Sequence, residues 1–582
     1  MTREEAASFK IPLYFSRSRV STEANRTGNW SFVQPAYRER TAPCSEACPC
    51  GTDIPRVETL ASRGLFGAAY RAILMENPLP GVCGRVCFHP CEGACNRGER
   101  DEAVAVNALE RFLEDAARRD GAQTGLSRGP SKRKRVAVIG SGPAGLSAAH
   151  FLARLGYACE IFESLPEPGG MLRWGIPAYR LPPEVLRREL DDLEALGVKI
   201  SCGSKKDASF LAAPGFDAVF LSPGQGKAFG LGVPGEELAR DGLELLKRTR
   251  ADGDGIGELK AGDRVAVVGG GNTAIDVART LLRKGLKPLI VYRRRREDMP
   301  AFAHEVERAL AEGAELLELS APLALSREGP ALKLGLQRMR AAATGADGRR
   351  KVEAVPGETG SVAVAAVFAA VGAEPEEGWK RLLGSAPTLR LARSSLSLGP
   401  VPVAFAGDLA TEEKSVSEAV ASGKEAALAL DAYFEGGAAA VEGRLAKARV
   451  GGGPSLSMEM YLGGDRLRRG KGVVRYAELE PAYFPRAARA RPAALPPKAS
   501  LSSFVEVEAA LAPDAALAEA GRCMSCGACN DCDNCRTFCP DVASRFADGV
   551  RSVDPEYCKG CGVCAQECPR GVMTMEREEE RR

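Results

Sequence analysis

The chain has 582 residues, too many for one hydrophobic core, so several domains are expected. Hydrophobic residues make up 45% and charged residues 27%, the balance of an ordinary globular protein, and no apolar run reaches the roughly 18 residues of a membrane span. A net charge of +3 argues neither for nor against nucleic acid, and 3 Trp and 3 His leave little room for stacking platforms or His-rich metal sites. The start, "MTREEAASFKIPLYFSRSRV", has no signal-peptide core, and a cytoplasmic location is expected.

Residues 1–40 read as an irregular extension. Residues 41–130 combine helix-like segments, such as "IPRVETLASRGLFGAAYRAILMENP", with seven of the 19 cysteines, Cys44 to Cys95. Ten more lie between Cys523 and Cys568, and only Cys159 and Cys202 lie between the two groups. A disulfide scaffold would be short and would spread its cysteines, so clustering at both ends points to metal ligation. Cys159 and Cys202 are expected to serve as small apolar residues.

From 131 the pattern becomes α/β: short β-branched runs, Gly turns, Ala/Leu-rich helices. "RVAVIGSGPAGLSAAHFLARLGYACEIFE" predicts a buried strand over 136–139. Gly140, Gly142 and Gly145 follow as GxGxxG, then a helix and a second strand ending at Glu163. The glycines allow a tight turn and close approach to a pyrophosphate, and the acid suits ribose hydroxyls. "DRVAVVGGGNTAIDVARTLLRKGLKPLIVYRRRRED" repeats the device with Gly269, Gly271 and Ala274, Asn272 and Thr273 opening the helix. Arginines from Arg293 and Arg294 onward replace the acid, which favours a 2′-phosphate and therefore NADPH over NADH. Two such sites suggest a flavin and a nicotinamide. In "VPVAFAGDLATEEKSVSEAVASGKEAALALDAYF", Gly407 and Asp408 end a strand and a helix begins near Ser415 to Ser417. The aspartate suits a ribityl chain and the helix N-terminus the isoalloxazine carbonyls. Hydride transfer needs stacking and no general base, so no acid–base residue is nominated. His304 and Glu305 are assigned to an ordinary helix, and no CxxxxC stands beside the first motif to support disulfide reduction.

The α/β pattern is expected to continue to about 435. "EGGAAAVEGRLAKARVGGGP" is expected to end it, and 438–520, rich in Arg, Ala and Pro, reads as a linker. The tail, 521–582, holds two CxxCxxCxxxCP strings. This ferredoxin spacing sends the fourth cysteine of each string to the other cluster. Cys529, Cys532, Cys535 and Cys568 therefore hold one [4Fe–4S] cluster, and Cys558, Cys561, Cys564 and Cys539 the other. Zinc, which also takes CxxC pairs, is the competing metal.

The strings "VIGSGPAGLSAAHFLARLGY", "GGMLRWGIPAYRLP", "GGGNTAIDVARTLLRKG", "VYRRRREDMPA" and "FAGD" resemble the small-subunit family of bacterial glutamate synthase, which includes the large subunit of NADH-dependent ferredoxin:NADP oxidoreductase. The resemblance covers roughly 41–435. It implies a multidomain α/β protein with a helical iron–sulfur N-terminal domain and two Rossmann-like domains, the NAD(P) domain, 241–375, inserted in the FAD domain, 131–240 and 376–437. The C-terminal domain is expected to be α+β and ferredoxin-like. It places Gly169, Gly170, Met171 and Leu172 beside the flavin and Asp408 on its ribityl chain. By the family pattern Cys48, Cys87 and Cys91 hold one cluster with a non-cysteine ligand, for which Glu110 is the candidate. Cys44 and Cys95 are half of a second cluster. The family's preceding CxxC is missing here, and Cys50 and Cys83 are local candidates to replace it. "RCMSCG" looks like that missing string displaced to the tail, so Cys523 and Cys526 are the other candidates. Loss of this cluster is the remaining alternative. FAD, NADP(H) and four clusters, three at the least, are implied. The whole arrangement is similar to the iron–sulfur flavoprotein associated with dissimilatory sulfite reductase.

The expected activity is NAD(P)H:acceptor oxidoreduction, with single electrons passing to or from a protein such as ferredoxin, a 2-oxoacid oxidoreductase or a sulfite reductase. Alternatives are a glutamate synthase small subunit, a bifurcating transhydrogenase subunit and a non-catalytic electron-wiring or assembly subunit. A homodimer is one candidate assembly; nucleic acid and membrane are not expected partners.

Overall fold

The computed structural model of the chain describes residues 26, 28, 31–212, 215–344, 350–385, 388–547 and 550–577. Most of the expected extension, 1–25, lies outside them.

The run "RVAVI" forms the strand Arg135–Ile139, buried from Val136 onward. Apolar side chains on both faces suit a central parallel strand covered by helices on each side. It pairs in parallel with Ala158–Phe162 on one side and Ala218–Leu221 on the other. The complete sheet runs Thr388–Arg390, Ser395–Ser397, Val403–Phe405, Ala218–Leu221, Arg135–Ile139, Ala158–Phe162, Lys199–Ser201. Strands from before 222 and after 387 thus share one sheet. Between them lies a second sheet, all parallel, in the order Glu315–Leu317, Lys287–Val291, Arg264–Val268, Ala366–Ala369, Arg240–Asp241. An antiparallel meander, Ser320–Glu328, Ala331–Thr344 and Arg350–Val364, packs on its face through Leu325, Leu334 and Val367. The two chain passages between the domains pair with each other, Lys227–Ala228 with Ala373–Glu374.

The N-terminal cysteines sit among short helices, Pro43–Ala47, Ile54–Ser62, Phe66–Leu74 and Pro80–Val86, closed by Val106–Arg119. Two stretches differ from the sequence expectation. Residues 33–37, read as irregular, form a strand, Val33–Tyr37, antiparallel to Met573–Arg577 of the tail. The α/β region does not stop near 437 either. The helix Val416–Ala448 breaks at Gly436 and Gly437, then resumes with Val441, Leu445 and Ala448 buried. Those three recur at helical spacing, and the paired glycines hid the continuation. The following stretch, up to 520, lies along the other domains. Gly470–Val473 pairs with Arg40–Thr41, Ser500 Oγ donates to Glu312 at 2.9 Å, and Glu506 meets Arg85 and Arg111. Glu508 pairs with Arg308 at 2.7 Å.

The flavin-side helix is locked to the cysteine domain by one buried pair. Lys424 Nζ lies 2.9 Å from Glu76 Oε2, each side chain 1% exposed, and also donates to the Cys50 carbonyl. Glu76 further accepts from Ser457 Oγ and Met458 N and sits 3.4 Å from Arg466. Burial alone would raise its pKa; Lys424 and Arg466 hold the carboxyl below the ordinary range. Removing one partner of such a pair leaves an uncompensated buried charge. Glu76→Ala is therefore expected to cost about 3–5 kcal/mol in chemical denaturation; a loss below about 1 kcal/mol contradicts this role for the pair.

Candidate functional site

The first glycine turn is built in two parts. Gly140 has φ +97°, and a Cβ there would stand 2.4 Å from the Ser222 carbonyl oxygen; one on Gly145 would stand 2.0 Å from the Gly140 oxygen. These glycines are required by the fold. A Cβ on Gly142 would meet nothing within 4 Å, although Gly142 caps the helix Pro143–Arg154. That open space at a helix N-terminus is where a pyrophosphate fits. Glu163 follows the strand Ala158–Phe162 and accepts from Ser141 N at 3.1 Å and from Ser141 Oγ. Ser141 Oγ in turn accepts from Gly169 N at 2.9 Å, and Gly170 lies against Gly142. Thus Gly169 to Leu172 are pinned beside the glycine turn, with Leu172 buried and Met171 exposed. Gly407 N donates to Ser422 Oγ at 2.8 Å, placing Asp408 at the same end of the sheet, its carboxyl pushed up by burial. Ser141 and Ser422 were missed from the sequence, because serines in a glycine-rich turn and a helix carry no distinctive signal.

The second turn repeats the division. A Cβ on Gly269 would lie 2.3 Å from the Ala370 oxygen, while one on Gly271, capping the helix Asn272–Arg283, would meet nothing. Ala274 is buried, and Asn272 Oδ1 accepts from Phe302 N at 3.0 Å. Thr273 stands in the helix's first turn. Of the four arginines after the next strand, Arg294 donates to the Arg350 carbonyl, Arg295 lies 3.8 Å from Glu297 and Arg296 3.5 Å from Glu307. Arg293 is exposed and has no such partner among the described residues.

The N-terminal cysteines separate into two adjoining sets. Cys48, Cys87, Cys91 and Glu110 line one cavity, together with Cys50, Cys83 and Ser417. Asn77 Nδ2 holds Glu110 Oε1 at 2.8 Å, and burial, then Cys48, pushes its carboxyl up to about 8. Cys50 and Cys83 are buried thiols in contact with each other; Cys50 also touches Cys48 and points at the Ser417 carbonyl, 3.8 Å away. In the second set Cys44 faces Cys95, Cys523 and Cys526. The displaced CxxC therefore folds back onto the N-terminal domain, with Asn96 Nδ2 3.4 Å from Cys526 Sγ. Between the sets stands Glu58, 1% exposed, with neither carboxylate oxygen hydrogen-bonded and its pKa raised by burial and by Glu519, Glu92 and Glu110. No sequence pattern marked it.

The tail thiols fall into the two crossed sets expected. Cys529, Cys532, Cys535 and Cys568 line a cavity of about 330 Å³ with Tyr37 and Arg551. Cys539, Cys558, Cys561 and Cys564 line another of about 340 Å³. Backbone donors reach the sulfurs at equivalent places: Ala543 N to Cys539 at 3.3 Å and Val572 N to Cys568 at 3.4 Å, each four residues on. A zinc site needs thiolates about 2.3 Å from one ion. Four sulfurs around a cavity suit the larger cubane. Cys159 is buried in its strand as expected, whereas Cys202 is exposed, because the strand Lys199–Ser201 ends before it. No helix among the described residues is long and apolar enough to cross a membrane.

Residues 10–122 match the dihydropyrimidine dehydrogenase domain II, 4Fe-4S cluster family, residues 134–386 the pyridine nucleotide-disulphide oxidoreductases, and residues 551–574 the 4Fe-4S binding domains. The glutamate synthase [NADPH] small chain of Halomonas elongata is 32% identical over 409 residues, 68% of this chain and 85% of that protein. The chain belongs to the glutamate synthase small-chain family. This is a family of FAD- and iron–sulfur-containing oxidoreductases, and the two glycine turns and cysteine-lined cavities fit those cofactors. The NADP(+)-dependent formate dehydrogenase subunit beta of Moorella thermoacetica is 37% identical over 432 residues, 68% of this chain and 60% of its own length. The NADPH-Fe(3+) oxidoreductase subunit beta of Geobacter sulfurreducens is 38% identical, over 58% of this chain and 51% of its own. The chain thus spans between half and two thirds of these two longer family members.

Substitutions at the glycines are expected to divide as the geometry does. Gly142→Ala should stay within about 1 kcal/mol of wild-type stability yet bind FAD more weakly by flavin titration, while Gly145→Ala should fail to fold. Arg293→Ala should raise KM for NADPH roughly 10- to 100-fold by loss of a charge-assisted contact and leave KM for NADH unchanged. An equal effect on both nucleotides would remove Arg293 from the 2′-phosphate site.

Proposed function

We propose that the chain is an NADPH:acceptor oxidoreductase that exchanges single electrons with a protein partner through its cysteine-rich tail. The two open helix N-termini at Gly142 and Gly271 carry this reading. One is backed by a buried glutamate for ribose hydroxyls, the other by an unpaired arginine for a 2′-phosphate. When bound, FAD takes the hydride pair and [4Fe–4S] clusters pass electrons singly, so the combination converts two-electron into one-electron chemistry. The chain's residues bind and orient. The helix N-terminus at Gly142 would receive the pyrophosphate, Glu163 the ribose and Asp408 the ribityl chain, and Gly170, Met171 and Leu172 would border the ring. The helix capped by Ser415, carrying Ser417, would offer its N-terminus to the ring carbonyls. Hydride transfer asks no side chain to move a proton.

In this reading Cys48, Cys87, Cys91 and Glu110 hold one cluster, and Cys44, Cys95, Cys523 and Cys526 a second. The two crossed tail sets hold the third and fourth. The partner is a redox protein or a further subunit: two relatives that match 68% and 58% of this chain are named as beta subunits. A glutamate synthase small subunit, handing electrons to an amide-using subunit, is the alternative, and the fused tail weighs against it.

Anaerobic NADPH should bleach bound FAD and support reduction of a one-electron dye, and iron and labile sulfide should total four clusters. Bound FAD that NADPH does not bleach would return the chain to the electron-wiring class.

A further inference from the structure

We propose that the four cysteine sets form one unbranched series between flavin and partner, in which Cys523 and Cys526 are the station joining the N-terminal domain to the tail. The inference rests on the cofactor reading above and adds an order to it. Each neighbouring pair of sets shares a physical contact. The flavin-side helix reaches the first set through Ser417, which is buried, lines the cavity of Cys48, Cys87 and Cys91, and hydrogen-bonds the Cys87 thiol. The first and second sets share the helix Pro43–Ala47: Cys44 lies in it, Cys48 caps it, and Cys48 N donates to the Cys44 carbonyl at 3.0 Å. Cys91 of the first set packs in one apolar cluster with Cys44 and Cys526 of the second. The second and third sets are joined by covalent chain, since only two residues, Gly527 and Ala528, separate Cys526 from Cys529. That short bridge is fixed: Gly527 N donates to the Arg570 carbonyl at 2.8 Å, and Gly527 O accepts from Arg40 N at 2.8 Å. A Cβ on Gly527, φ +72°, would lie 2.6 Å from the Arg40 oxygen, so only glycine fits so close an approach. The third and fourth sets meet where Cys535 and Cys564 pack together.

The tail is mounted on this route. Val33–Tyr37 pairs with Met573–Arg577, Cys529 N donates to Glu39 at 2.8 Å, and Tyr483 bonds Glu567. These anchors come from residues 33–39 and 483, which flank the second set and not the flavin sheet. The balance is simple. One NADPH supplies a hydride, two electrons traverse the series singly, two equivalents of a one-electron acceptor are reduced, and one proton is released to solvent.

The test uses the full-length protein, with EPR on freeze-quenched samples and iron quantification. In Cys523→Ser/Cys526→Ser, one cluster's worth of iron should be lost and NADPH should still bleach the flavin. The tail signals should be absent with NADPH but present with dithionite. Tail signals produced by NADPH at the wild-type rate overturn the series. A flavin that NADPH does not bleach in the wild type overturns the underlying reading instead. Should the double variant not fold, Cys561→Ser, on the exposed rim of the fourth set, decides the order. NADPH should then still reduce the other three sets, and loss of the third set's signal would overturn the sequence proposed.

Discussion

The buried ion pair between Lys424 and Glu76 sets the relation between the nucleotide half of the molecule and its cysteine half. Lys424 stands on the helix that begins beside Asp408 and carries Ser417; Glu76 stands directly after the helix Phe66–Leu74. Neither charge is stable in the interior alone, so each requires the other's segment to be docked. The same carboxylate collects Ser457, Met458 and Arg466, which brings the chain beyond the flavin domain into the junction. The helix itself is seated on the first glycine helix at close range: a Cβ on Gly423 would lie 2.2 Å from the Ala144 oxygen, and Ser147 Oγ donates to the Val420 carbonyl at 2.7 Å. A one-electron step falls steeply with distance, and this is the place where a fixed distance is needed.

The two nucleotide domains use one device with opposite electrostatics. In each, one glycine is forced by an approaching carbonyl and another is left free at a helix N-terminus. They differ at the end of the second strand. Glu163 is buried and held by the Ser141 backbone and hydroxyl, a geometry suited to neutral hydroxyl donors. Arg293 is exposed and unpaired among the described residues, a geometry suited to a dianion arriving from solvent. In the proposed function, the sign at that one position separates the roles of two otherwise similar turns.

Legibility in the sequence followed the range of the contacts. The glycine turns were readable because strand, turn, helix and acid lie within one short unit. The tail sets were readable because the crossed spacing is a local rule, even though each set borrows a cysteine from the other string. The second N-terminal set was only half readable, since Cys44 and Cys95 lie at one end of the chain and Cys523 and Cys526 at the other. Glu58 was invisible because its position on the helix Ile54–Ser62 looks like an ordinary polar site until the tail covers it. The stretch beyond Ala448 carries no apolar period because it docks by short, irregular pieces: Leu456, Met458, Val474, Leu479 and Phe484 enter other cores one or two at a time, and Glu506, Glu508 and Ser500 bond arginines and a glutamate of the N-terminal and second nucleotide domains. Periodicity detects burial by an apolar face and is blind to attachment of this kind.

The environment of the sulfurs changes along the proposed order. Cys91 of the first set and Cys44 and Cys526 of the second are buried, and the carboxyls of Glu110 and Glu58 stand beside them. In the tail, Cys535, Cys558 and Cys564 are buried as well, but Cys532 and Cys561 are exposed, and Arg551 reaches Cys535 Sγ at 3.7 Å. Reduction adds a negative charge to a centre. Burial and neighbouring carboxyls disfavour that charge, whereas solvent and a guanidinium favour it. In the proposed series the exposed thiols and Arg551 favour the added charge in the tail, while Asp531, 3.7 Å from Cys529 Sγ, opposes it. The same two exposed cysteines bring the last sets to the surface, where a partner protein can approach. In the proposed order the six cysteines of 523–539 serve twice: the first two close the second set, and the next begin the third.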